Sequence, residues 1–384
     1  MKTRNSWQLA IAATAAASIL LTACGSDSSD DASSSSGGGS GGAGVDVAAA
    51  QETIEPLTQP AEEFPITEPL EKLPEPGTVV VYLDNGTPVS GRAFQDMSAA
   101  AEVLGIELRK VQAGQSPQEV NAAMNSVVES KPDAVIDVAI DPALFSTQVK
   151  ALQDQGIPFV AQSIVNAEEF GLDDEQTAFG QAGSVANGKI LASALLAETN
   201  GEATNIVYYN VPELPFAAME QQGVEDQIAE QCPDCELRVV DISITEVGST
   251  APRTIVSDLQ ANPDTQAFIA AVDELQIGLP QAMEVAGLQV QGMGLGGTPI
   301  NLQQIAEGQE LGALVADYAM LAWATMDRVA RELAGQEYDH SFWTEANPAT
   351  AQVITKDNVP SDFEAGYVAF DDYQERFTAL WTGQ

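Results

Sequence analysis

The chain predicts an α/β fold of two similar lobes, each a parallel sheet covered by helices on both faces. Three observations carry this. Short apolar runs alternate with amphipathic ones from residue 78 onward. The alternation completes one βαβαβ run and begins another near residue 205. And 45% hydrophobic residues over 384 positions are enough to bury two cores, which argues against disorder throughout.

Taken in order, the first lobe opens with a strand over 78–83, Thr-Val-Val-Val-Tyr-Leu, apolar on both faces as a covered parallel strand must be. A helix over 92–104 stops at Gly105. A strand over 107–111 follows. Ser116-Pro-Gln-Glu119 then supplies an N-cap, a proline at the first helical position and a capping-box glutamate. The next strand covers 134–138, Asp141-Pro142 opens a further helix, and Ile157-Pro-Phe-Val160 is a fourth strand. The second run places strands at 205–209, 237–240 and 267–271, with helices at 216–231, 253–261 and 275–286. Strands at 290–293, 311–315 and 351–354 and a helix at 318–333, ended by Gly335, complete it.

The N-terminus is of another kind. Lys2 and Arg4 precede an apolar run from Leu9 to Leu21, too short to span a membrane and suited to a signal peptide over 1–23. Leu21-Thr-Ala-Cys24-Gly25 resembles the bacterial lipoprotein signal motif, which implies cleavage before Cys24 and acylation of its thiol. Residues 26–44 are rich in Ser and Gly and read as a flexible tether. Pro56, Pro60, Pro65, Pro69, Pro74 and Pro76 predict an extended strap along the surface.

Charge narrows the function. With 15 basic against 56 acidic residues the net charge is −41, which excludes a basic nucleic-acid face or a polybasic membrane patch. Residues 77–384 hold 45 acidic and 12 basic residues, so most of the charge belongs to the folded lobes as a solvated acidic surface. One His and three Cys leave little for a metal site or a His-based triad, and no cofactor is expected. Cys232-Pro-Asp-Cys235 has the spacing of a redox pair or half a zinc site. It follows a helix instead of opening one, and neither Cys24 nor His340 completes a zinc set, so in an exported chain the expectation is a local disulfide. Gly292-x-Gly294-x-Gly296-Gly297 lacks nucleotide-loop spacing and has two readings: close backbone approach to a ligand, or a tight turn.

From residue 77 to about 355 the chain resembles the type I periplasmic binding proteins, in particular the ribose/galactose-type group that serves ABC importers. The residues that carry the likeness are Asn262-Pro-Asp-Thr-Gln-Ala-Phe-Ile-Ala-Ala-Val-Asp-Glu274, then Gly278 and Ala286-Gly287, then Gly294-Leu-Gly-Gly-Thr-Pro299 and Ile305-Ala-Glu-Gly308. Lys131-Pro-Asp-Ala-Val-Ile136 and Gln155-Gly-Ile-Pro158 match in the first lobe. The resemblance implies three hinge crossovers, near 181–184, 316–319 and 347–351, and closure of the lobes on a ligand. It divides the chain into an N-terminal lobe of 77–182 plus 317–348 and a C-terminal lobe of 183–316 plus 349–384, the last part an extension packed by Trp343 and Trp381. It also implies binding without catalysis, and two partners: a small-molecule ligand and the subunits of an ABC permease. A ligand sensor for a membrane kinase or chemoreceptor is the alternative.

In open sheets of this type ligands sit beyond the carboxyl ends of the strands. The candidate ligand residues there are Asp84, Asn85, Gln162, Ser163, Phe216, Arg253, Asp273, Asp317 and Tyr318. The resemblance adds Ser90 and Met219, which stand where the family carries an aromatic and a binding Arg. Gln162-Ser163 stand in place of its Asp-Arg pair, and Val272, Gly296 and Asp317 replace three further polar positions. The scaffold is kept and the recognition set rewritten, towards a less polar hydroxylated compound or an amine paired with Asp317.

Overall fold

The computed structural model describes residues 44–114, 116–172, 180–337, 351–364 and 366–383. Signal segment, Cys24, His340, Trp343 and the third expected crossover therefore lie outside the described residues, apart from Ala351. Two sheets organise the rest. In the first lobe β1 (Val79–Asp84), β2 (Glu107–Gln112), β3 (Ala134–Val138) and β4 (Phe159–Gln162) pair in parallel in the order β2-β1-β3-β4. In the second, β5 (Asn205–Asn210), β6 (Glu236–Asp241), β7 (Ala267–Ala270), β8 (Gln291–Gly296), β9 (Gly312–Ala316) and β10 (Ala351–Thr355) run β10-β9-β8-β7-β5-β6. All are parallel except β10, an antiparallel edge strand on β9. Each lobe thus repeats one topology, with its strand order reversing at the first strand.

Local signals explain the helices. In the first lobe, α2 (Pro88–Leu104) starts at Thr87, whose hydroxyl accepts from Ser90 N, and ends at left-handed Gly105. It begins four residues earlier than expected because Pro88 is already at the first helical position. α3 (Pro117–Ser130) carries the complete capping box of Ser116 and Glu119. The helix opened by Asp141 begins as a 3-10 turn before α4 (Ser146–Asp154). In the second lobe α6 (Ala217–Gln231) and α7 (Ala251–Ala261) stand as expected. The expected helix over 275–286 divides into a 3-10 turn at 273–276 and α8 (Leu279–Ala286), because Gly278 has a left-handed φ of 80°. α9 (Pro299–Ala306) follows β8. α10 (Tyr318–Ala334) runs from Asp317 to Gly335 and packs on α2, so the chain crosses from the second sheet to the first core between Ala316 and Ala319.

Three departures from the sequence reading are informative. α5 (Gln181–Glu198) has buried residues on every side, including the unbroken run Ile190–Leu196, so it shows no amphipathic period. It is enclosed by α1, α6 and the second sheet. Gly188 and Gly223 bring α5 and α6 into near backbone contact: a Cβ on Gly188 would stand 1.9 Å from the Glu220 carbonyl oxygen. Second, the strap is not extended throughout. Residues 47–54 form α1, capped by Asp46, with Ala50, Ile54 and Leu57 in the second-lobe core. The strap then crosses to the first lobe, where Phe64 and Leu70 are buried and the Arg331 guanidinium donates to the carbonyls of Glu68 and Pro69. Third, the C-terminal extension splits. β10 joins the second sheet, but α11 (Tyr373–Thr382) packs on α10 and α2 of the first lobe. There Trp381 stacks on Trp323 at 5.3 Å and donates to Asp327.

Cys232 and Cys235 form the expected disulfide at the turn between α6 and β6. No helix among the described residues is long and apolar enough to cross a membrane.

Candidate functional site

A cavity of about 90 Å³ lies between the lobes, at the carboxyl ends of the strands. The strand order dictates this place, since helices leave opposite faces of the sheet where the order reverses. From the first lobe it receives Asn85 after β1, Val138 and Ala139 at β3, and Gln162 and Ser163 at β4. The N-terminal turns of α2 and α10 add Val89, Ser90 and Tyr318, and Thr325 follows two turns further along α10. From the second lobe come Leu214 and Phe216 after β5, Val247, the segment 272–274 after β7, and Leu295 of β8. The lobes touch across it: Val89 N of the first donates to the Glu274 carboxylate of the second at 3.2 Å.

Within the first lobe most polar groups already have partners. Asn85 Nδ2 donates to the Val138 carbonyl, while its Oδ1 accepts from Thr87 N and Oγ1. Ser90 Oγ donates to Asp84 at 2.9 Å. Thr325 fixes the orientation of Gln162. Its hydroxyl proton is given to the Leu321 carbonyl at 2.7 Å, so its oxygen can only accept, and it takes Gln162 Nε2 at 3.0 Å. The Gln162 carbonyl oxygen is the end left over. Ser163 has a left-handed φ of 56° and Ala139 one of 57°, two non-glycine residues in a sparsely populated conformation at the cleft wall.

On the second lobe the 3-10 turn at 273–276 orients two successive carboxylates differently. Asp273 lines the floor but turns its Oδ2 to Gly297 N, and Asn301 bonds its carbonyl. Gly294 and Gly296 of β8 serve this packing: a Cβ on Gly296 would lie 2.0 Å from Asp273 Oδ1. Their role is therefore close approach of strand to turn, not of backbone to ligand. Burial pushes the Asp273 pKa up to about 7. Glu274 is 3% exposed, and burial followed by the charge of Asp273 raises its pKa to about 8.

Of the residues read from the sequence, the cleft gathers Asn85, Ser90, Gln162, Ser163, Phe216, Asp273 and Tyr318. Four others stand apart from it. Asp84 faces away, pairing with Lys110 at 3.0 Å and accepting from Gly86 N. Met219 lies a turn into α6, and Arg253 is exposed at the start of α7. Asp317 is fully buried as the N-cap of α10, accepting from Met320 N and Ala369 N, so it is a structural cap and not the partner of a ligand amine. What the sequence reading missed is Glu274, together with an apolar wall of Val89, Met97, Leu214, Val247 and Leu321. Only the Asp-Glu pair itself was a signal, since two adjacent carboxylates on a tight turn cannot both be caps. Among the described residues no group of three or more His, Cys, Asp or Glu is placed to hold a metal.

The model of the periplasmic binding protein domain matches residues 78–337. A protein of Rhizobium meliloti named for rhizopine binding is 25% identical over 201 residues, 50% of this chain and 62% of that one. The ribose import binding protein of Bacillus subtilis (strain 168) is 24% identical over 217 residues, 56% of this chain and 68% of that one. The chain thus spans less than two thirds of the Rhizobium protein's length. Among solved structures, an ABC transporter solute binding protein from Agrobacterium vitis with bound allitol superimposes with a TM-score of 0.60 at 21% identity, covering 73% of this chain and 96% of that one. The 5-methylthioribose transporter solute binding protein from Thermotoga lettingae, in complex with 5-methylthioribose, gives 0.65 at 17% identity, covering 80% and 99%. The two solved structures share this fold. The chain belongs to the periplasmic binding protein domain family.

Proposed function

We propose that the protein is an extracytoplasmic solute receptor of an ABC importer, holding one small molecule between its lobes and presenting the closed form to the permease. The observation that carries this is the cavity at the carboxyl strand ends, bridged by the contact from Glu274 to Val89. A solute that touches both walls stabilises closure by its differential affinity for the closed state. The names of the relatives support small polyhydroxylated solutes, and the mixed lining favours one less polar than a plain pentose. The lipoprotein-like segment at Cys24 supports anchoring on the outer face of a membrane through an acylated N-terminus, followed by a tether.

A thermal-shift screen of sugars, polyols, amines and aromatic acids on the full chain tests the reading, because a bound solute raises stability by mass action. The expected result is a saturable rise with one chemical family. Phe216→Ala and Gln162→Ala should each weaken that solute tenfold or more. Turnover of the solute, or affinity indifferent to both substitutions, contradicts the proposal.

A further inference from the structure

The cleft is strongly one-sided in hydrogen bonding. Its donors are largely engaged: Asn85 Nδ2 on the Val138 carbonyl, Gln162 Nε2 on Thr325, and the Thr87 hydroxyl on Asn85. The orientation of Gln162 is fixed by Thr325, whose only proton is already given to Leu321, so the amide cannot flip to offer a donor. What remains for a ligand is the Gln162 carbonyl oxygen, the Ser163 hydroxyl and the Glu274 carboxylate, of which one oxygen takes Val89 N. Among the described residues no Lys, Arg or His lines the cavity. The Glu274 carboxylate therefore faces it with a backbone amide for a partner and a second carboxylate, Asp273, beside it. A buried carboxylate without a cation is costly, so burial holds Glu274 largely protonated in the empty cleft, and a cation brought by the ligand takes the place of that proton.

The rest of the lining is apolar, with Phe216, Met97 and Leu321 offering surface to a hydrocarbon or ring. We propose that this cleft selects a small ligand with an apolar or ring body and one protonated amine, the amine held by the Glu274 carboxylate. A ligand bearing a carboxylate or phosphate is rejected, since it brings a further negative charge beside the Glu274 and Asp273 carboxyls. This deepens the solute-receptor reading and rests on it. It also moves the amine partner from Asp317, whose oxygens are used by Met320 N and Ala369 N, to Glu274.

The test uses the full chain and matched triplets of compounds that share a ring body and differ in one group: amine, alcohol or carboxylate. Tyramine, tyrosol and 4-hydroxyphenylacetate form one triplet; aminomethyl, hydroxymethyl and carboxyl cyclohexanes form another. D-ribose, D-galactose and allitol serve as neutral references. Calorimetric titration should show the amine of at least one triplet binding tenfold or more tighter than its alcohol, with no binding by its acid. Glu274→Gln, which keeps an acceptor for Val89 N, should remove that preference by lowering amine affinity about 10- to 100-fold, the worth of a charge-assisted hydrogen bond. The far-ultraviolet dichroism and melting temperature of the unliganded variant report that it folds. Tighter binding of neutral sugars than of any amine, or amine binding unchanged by Glu274→Gln, overturns the inference while leaving the receptor reading intact. Absence of binding by every triplet and every sugar counts against both.

Discussion

Replacing Glu220 with glutamine should make the protein less sensitive to rising pH. Glu220 is on α6 with no exposed surface; Tyr208 donates to its Oε1 at 2.9 Å and its Oε2 has no partner. Burial raises its pKa from 4.5 to about 8. The folded state therefore holds a proton that the unfolded chain releases, and stability falls with pH across that window. The slope is about 1.4 kcal/mol per pH unit and the whole window amounts to about 5 kcal/mol. Below pH 4.5 both states are protonated and this loss is absent; above pH 8 it is complete. Glutamine keeps the acceptor for Tyr208 and cannot ionise. Its buried amide costs about 1–3 kcal/mol at every pH, so the diagnostic is a change in difference and not its absolute size. Urea denaturation of both proteins at pH 5, 6, 7 and 8 reads it. The Glu220→Gln protein should gain steadily on the native one, by about 3–4 kcal/mol over that range. A constant difference refutes the buried, protonated carboxylate.

Other substitutions test the packing. Gly188→Ala places a methyl 1.9 Å from the Glu220 carbonyl oxygen, and separating α5 from α6 should lower stability by about 1–3 kcal/mol in urea denaturation. Arg331→Met leaves Asp327 with Trp381 Nε1 as its donor and frees the carbonyl of Glu68, while Gln336 still donates to that of Pro69; a loss of about 3–5 kcal/mol and faster proteolysis within residues 60–76 are expected. Reducing the Cys232–Cys235 bond opens a loop of few residues and should cost about 2 kcal/mol, seen as a lower melting temperature in dithiothreitol.

The central strands were legible because a parallel strand covered on both faces is largely apolar, and a run such as 267–271, Ala-Phe-Ile-Ala-Ala, has no other use. Helices with a proline or a capping pair at the start were equally plain, as Ser116 and Glu119 show. α5 was hidden because a helix enclosed on every side has no period to read, and α1 because eight residues rich in alanine depend on the second-lobe core for their stability. The cleft followed from strand order, and Asn85, Gln162, Ser163 and Phe216 line it. Asp317 was misjudged since an aspartate between a strand and a helix is equally placed to cap the helix or to face a ligand; here Met320 and Ala369 take both oxygens. Glu274 was missed because only the 3-10 turn, set by Gly278 downstream, shows which of two adjacent carboxylates turns to the cavity.

The central claim is that a solute bound between the lobes draws them together. Small-angle X-ray scattering of the full chain, titrated with whichever solute raises its melting temperature, tests this most directly. The radius of gyration should contract saturably with solute, and that of a Phe216→Ala protein only at higher concentrations. A solute that binds and stabilises the protein while the radius of gyration stays constant would contradict it.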